Sequence, residues 1–183
     1  MSTFPIHTVD SAPSASRPLL QGLRDQVGFV PNLAASMATS PTLLQAFLSV
    51  RQVAAGGGLD PVAREIVAVA AATETGCTYC VAAHSTFALK QGAAPAEVAA
   101  ARAGTPLGDP RLDALARFAR AVVRRQKDVP ERARELGEHG LGPTQVLDVL
   151  AAITVPLVAG LAHQLTAAPL EPLFQPQEWT PAG

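Results

Sequence analysis

Proline and glycine decide what this chain can fold into. Asp60-Pro61 and Asp109-Pro110 each pair a carboxylate that can accept the free amides of a first helical turn with a residue lacking the donor that would be orphaned there. Ala94-Pro95 and Gly142-Pro143 open segments in a similar way, while the run Gly56, Gly57 and Gly58, then Gly76, Gly92 and Gly104, close them. Between these marks the apolar residues keep helical spacing: Leu43, Leu44, Phe47, Leu48 and Val50 after Pro41, and Leu112, Leu115, Ala116, Ala119 and Val122 after Pro110. No run alternates with a strand's period of two, so the predicted class is all-α.

The spacing predicts a first helix from near Arg17, broken by Gly28 and Pro31. The segment VGFVPNLAASMATSP then reads as a loop that plugs a core with Phe29 and Val30. Helices are expected from Pro41, from Pro61, over about Cys77 to Gln91, from Pro95 to before Gly104 and from Pro110. A short charged helix on ERARELGEHG and a long apolar one after Pro143 complete the set. Residues 1–18, rich in Ser, Pro and Ala, read as an extended arm packing late or on a neighbour.

With 183 residues the chain can bury a core without staples. Aromatics are only 4% of it, so Ala, Val and Leu must build that core, which suits closely packed helices. Fourteen basic against fifteen acidic side chains provide no electrostatic footprint for nucleic acid or an anionic membrane surface. MSTFPIHTVDSAPSASRP does not read as a secretory leader, and the expectation is a cytoplasmic protein. The longest apolar stretch, Val146 to Ala162, is shorter than the roughly 20 residues a spanning helix needs and reads as a buried helix. Two cysteines three apart, in a reducing compartment, point to catalysis or metal binding before structural cross-linking.

The chemistry concentrates between Arg64 and His84. At 100° per helical residue Cys77, Cys80 and His84 project at about 0°, 300° and 340°, a stripe roughly 60° wide. Cys77 stands at the amino end of its helix, where unsatisfied amides favour an anion, and His84, one turn beyond Cys80, can take a thiol proton. Glu65 lies in the otherwise apolar helix before Gly76; if the two helices pack antiparallel about that corner, its carboxylate can orient His84 and return its proton.

Other readings of these residues stay open. The cysteines and His84 supply three of zinc's four ligands, with Glu65, His139 or His163 to complete the set, or the pair is inert core. Glu65 can be a first-turn carboxylate serving the helix dipole, and Glu74 reads as solvated. Tyr79, between the cysteines, either donates a hydrogen bond or packs, and His163 reads as structural or interfacial. Arg120, Arg124, Arg125 and Lys127, near Asp113 and Asp128, read as a solvated face.

A glutamate, eleven intervening residues, then Cys-x-x-Cys-x-x-x-His, matched by Glu65, Cys77, Cys80 and His84, resembles the alkylhydroperoxidase D-like branch of the carboxymuconolactone decarboxylase superfamily. GFVPNLAASMATSPTLLQAFL and AHQLTAAPLEPLF resemble the opening and closing segments of its peroxidase-related members, so the likeness runs from about Val27 to Phe174. The expected layout is a single all-helical domain over residues 19–175 with a C-terminal tail over 176–183, and the resemblance implies an all-helical fold that assembles as homotrimers or homohexamers. It also implies a peroxidase or disulfide-reductase cycle with no metal, flavin or other cofactor, fed by a dithiol electron donor. On that resemblance Cys80 attacks a hydrogen or organic peroxide, Cys77 resolves, His84 is the base and Glu65 the relay. Tyr79 departs from the histidine that the best-studied members carry before the second cysteine. Helix-dipole reasoning alone would make Cys77 the more acidic thiol, so the choice of attacker rests on the resemblance and on the closer Cys80 to His84 pairing. Within enzymes the alternative is a general thiol-disulfide oxidoreductase; outside them, a zinc-binding or structural oligomer.

Overall fold

The computed structural model describes residues 4–181, and among them the chain is helical with no strand. The elements run α1 (Arg17–Val27), α2 (Asn32–Met37), α3 (Pro41–Ala55), α4 (Pro61–Glu74), α5 (Thr78–Lys90), α6 (Pro95–Ala103), α7 (Pro110–Val123), α8 (Val129–Glu138) and α9 (Pro143–Thr166), with a 3-10 turn over Gln175–Gln177. The punctuation read from the sequence does what its chemistry dictates. Asp60 Oδ1 accepts from the Ala63 amide at 2.9 Å, Asp109 Oδ1 accepts from the Arg111 and Leu112 amides at 2.8 and 3.1 Å, and Ser40 Oγ caps α3 through the Leu43 amide.

One expectation about elements changes. The segment after Gly28 contains α2, six residues long, where a loop was expected; its Leu33, Ala34 and Met37 are buried, so tertiary packing stabilises a helix too short to stand alone. The last helix outruns its apolar stretch, extending over 24 residues with Pro156 inside it. By length and composition α9 is long and apolar enough to cross a membrane. Its Val149, Ala152, Ile153, Ala159 and Ala162 are nonetheless buried against the other helices, while Leu147, Leu161 and Leu165 are exposed.

α4 is the centre. Every residue from Ile66 to Ala72 is buried, and a helix apolar all round must be wrapped on all sides. It packs on α5, α6, α7 and α9, and its run of alanine and valine lets these helices approach closely. The interior divides in two: α4, α6, α7, α8 and the start of α9 enclose one cluster around Ile66, Leu115, Leu136 and Ile153. The other gathers Leu20, Leu44, Val81 and Phe174 from α1, α3, α5 and the C-terminal segment around the two cysteines. α9 contributes to both, through Val149, Ala152 and Ile153 to the first and through Ala159 and Ala162 to the second. The segment before α1 lies on its own chain, where Ala12 is buried and Ser16 Oγ donates to the Ala38 carbonyl at 2.7 Å.

The basic residues at the end of α7 do not all form a solvated face, and Glu74 is not solvated. Glu74 reaches Arg120 Nε at 3.6 Å and pairs with Arg124; its side chain is 10% exposed. Arg120 is buried and donates through Nη2 to the Ala101 carbonyl at 2.6 Å, joining the end of α4 to α6 and α7. The helix axis brings these charges together from elements 46 residues apart, a distance that periodicity along one helix does not encode.

Candidate active site

The site is built on the corner between α4 and α5. Gly76 adopts φ +65°; its amide donates to the Thr73 carbonyl and the Cys77 amide reaches back to Ala72, both at 3.2 Å. This Schellman arrangement satisfies the last carbonyls of α4 and turns the chain sharply. Cys77 thereby becomes the N-cap of α5, its Sγ accepting from the Cys80 amide at 3.2 Å. Cys77 and Cys80 are joined as a disulfide with their Cα atoms 5.2 Å apart, so the structure represents the oxidised pair. Both sulfurs are buried, and Cys80 Sγ lies 3.9 Å from the Pro156 carbonyl oxygen, to which a free thiol would donate.

Because the corner folds α5 back along α4, His84 meets Glu65: Nδ1 and Oε2 are 2.7 Å apart, with both side chains largely sheltered from solvent. Arg64 Nε stands 4.0 Å from the other carboxylate oxygen. The four residues singled out by spacing are therefore gathered into one site, as two bonded pairs. His84 lines the same cavity as Cys80, so a proton leaving or reaching the sulfur has an imidazole at hand and a carboxylate behind it. The cavity is about 70 Å³, walled chiefly by apolar side chains including Leu33, Phe47, Phe87, Val155 and Phe174. A second concavity of about 150 Å³ lies on the far side of His84 and holds Glu65, Arg64 and Gln91.

Tyr79 both packs and donates. Its hydroxyl donates to Glu171, 2.9 Å from Oε1 and 3.0 Å from Oε2, and its ring meets Phe174 edge-on and tilts over His163. Burial, reinforced by the Glu171 charge, holds the phenol far above its ordinary pKa and keeps the proton in place. The Glu171 carboxylate also accepts from the Asn32 amide and thereby ties the C-terminal segment to α2 and α5. Burial keeps His163 below the ordinary imidazole range. Among the described residues no three His, Cys, Asp or Glu side chains converge as metal ligands.

Two participants were not picked out from the sequence. Glu171 is the single charged residue between His163 and Glu178, and Arg51 is the single charged residue of α3. A lone charge in an apolar element was the available signal.

Residues 41–121 match the model of the Carboxymuconolactone decarboxylase family. No curated protein sequence matches the chain. Its fold is similar to that of alkylhydroperoxidase AhpD core, an uncharacterized peroxidase-related protein from Ralstonia eutropha JMP134, with TM-score 0.84, 24% identity and 94% of each chain covered. An uncharacterized peroxidase-related protein from Silicibacter sp. TM1040 gives TM-score 0.79 at 20% identity, over 96% of this chain and 93% of that one. The debrominase Bmp8, as its C82A variant in complex with 2,3,4-tribromopyrrole, gives 0.80 at 18% identity over 97% of both chains.

Proposed function

We propose that the chain is a thiol-dependent oxidoreductase of the alkylhydroperoxidase D-like branch of the carboxymuconolactone decarboxylase superfamily, and that it reduces hydrogen peroxide or an organic hydroperoxide. The observation that carries this reading is the Glu65–His84 pair at 2.7 Å, with His84 beside Cys80 in one cavity. The Cys80 thiolate attacks the terminal peroxide oxygen; the O–O bond breaks, the leaving alkoxide takes a proton relayed through His84, and Cys80 becomes a sulfenic acid. Cys77 displaces water from it, forming the Cys77–Cys80 disulfide in which the structure stands. A dithiol donor then exchanges with that bond, leaving as a disulfide and restoring both thiols.

The test follows peroxide consumption with a dithiol donor in wild type, Cys80→Ser and Cys77→Ser. Cys80→Ser is expected to abolish turnover, and Cys77→Ser to abolish it while still accumulating Cys80 sulfenic acid by intact mass. Unchanged turnover in Cys80→Ser would reject the mechanism.

The apolar cavity on Cys80 favours a second reading, reductive dehalogenation, prompted by the structural likeness to a protein named the debrominase Bmp8. There two thiols supply the electrons, a carbon–halogen bond is replaced by carbon–hydrogen, halide leaves and the same disulfide forms. Halide release from a bromopyrrole, in the absence of peroxide reduction, would select it. Leu147, Leu161 and Leu165, exposed along α9 beside Leu150, support assembly as a homotrimer or homohexamer, since monomers rarely expose such a stripe.

A further inference from the structure

We propose that the substrate of this site is the hydroperoxide of a compact organic acid, its anionic group held by Arg51 and its apolar, peroxide-bearing part inserted into the cavity that ends on Cys80; this rests on the thiol reading above. Arg51 lines that cavity with Cys80 and His84, lines the neighbouring concavity with Glu65 and Arg64, and borders a groove between α1 and α3 floored by Leu19, Leu23 and Leu48. It stands where the three meet. Its guanidinium makes no hydrogen bond and no ion pair among the described residues. Burial disfavours its charged form, the Arg64 charge adds to that, and Glu65 is the one opposing charge.

Glu65 cannot serve every cation around it. The carboxylate is bonded to His84 at 2.7 Å and approached by Arg64 at 4.0 Å, so two guanidiniums and an imidazole share a single negative charge. A half-buried cation left without a partner costs free energy, and an arriving carboxylate recovers it through the two parallel bonds a guanidinium offers. Apart from the reacting Cys80 and its neighbour His84, the rest of the cavity provides nothing polar to bind: the Tyr79 hydroxyl is committed to Glu171, and the other walls are aliphatic or aromatic. Its volume of about 70 Å³ is around half of the roughly 150 Å³ that accommodates benzene, room for a short branched alkyl group and no long chain. Hydrogen peroxide, neutral and polar, would leave the Arg51 charge without a counter-ion and the apolar walls unfilled.

The experiment separates binding from turnover by using the oxidised protein, which cannot react with a redox-inert ligand. Pivalate and pivalamide, equal in shape and different in charge, are titrated into the disulfide form of wild type, Arg51→Gln and Arg51→Lys, followed by chemical shifts of the Ala83 methyl and His84 ring. Pivalate is expected to bind wild type about tenfold more tightly than pivalamide. Arg51→Gln is expected to erase that preference and Arg51→Lys to keep part of it. Equal affinity for acid and amide in wild type, or a preference that survives Arg51→Gln, would overturn the proposal. Neither result bears on thiol turnover, which the cysteine variants decide.

Discussion

Tyr79, wedged between the two cysteines, donates its hydroxyl hydrogen to Glu171, 92 residues further along the chain. The bond places a protonated phenol against a buried carboxylate where the resemblance had suggested a histidine, and it couples the first turn of α5 to the segment that covers it.

This makes Tyr79 an alkaline sensor of folding. Its folded pKa lies above the ordinary 10.0, so the stability it contributes is complete below pH 10 and is lost as pH rises past that value, where the unfolded chain alone releases the proton. The chain has one tyrosine, so phenolate absorbance reports this group directly. No phenolate signal is expected in the folded protein near pH 10 to 11, with a cooperative onset on alkaline unfolding; an ordinary titration near pH 10 in the native state would refute it. Tyr79→Phe is expected to flatten the alkaline loss of stability.

Glu65→Gln keeps the shape and removes the proton acceptor behind His84. Under the proposed mechanism the rate of Cys80 oxidation by peroxide should fall about 100-fold, and His84→Asn should fall at least as far. Because the two act as one unit, the double variant should lose little more than His84→Asn alone. Stopped-flow measurement of thiol oxidation checks both statements.

Gly76→Ala tests the corner. A Cβ at this position meets no atom within 4 Å, so the expected cost comes from the backbone alone, about 1–2 kcal/mol for an L-residue at φ +65°. Gly76→Asn should cost less. Urea denaturation of the two variants measures the difference.

Glu74→Ala leaves the buried Arg120 without its carboxylate and should destabilise the fold by about 1–3 kcal/mol. The exposed Arg134–Glu131 pair supplies the contrast: Glu131→Ala should change stability by less than about 0.5 kcal/mol. Urea midpoints for the two variants decide the matter.

What the sequence made legible was local. A capping carboxylate followed by proline acts within four residues, so α4 and α7 begin at Pro61 and Pro110, where Asp60 and Asp109 said they would. The meeting of Glu65 with His84 was legible too, because one glycine corner fixes how two consecutive helices fold on each other. The short α2 was not legible, since six residues hold a helix only through tertiary contacts, here from α3, α9 and the Glu171 carboxylate on the Asn32 amide. The Glu74–Arg120 pair and the Tyr79–Glu171 bond join elements distant in sequence, and nothing in either local segment announces its partner.

α9 runs through both halves of the interior, and this governs the order in which the chain can be completed. Helices α1 to α8 can form as they leave the ribosome, yet the faces of α3 and α4 that receive α9 stay uncovered until residues 143–166 emerge. The cysteines share that delay, for Gly160 and Pro156 of α9 lie against Cys77 and Cys80. During synthesis both sulfurs are therefore open to stray oxidants and foreign thiols, and the protected pair comes into being only with the last long helix.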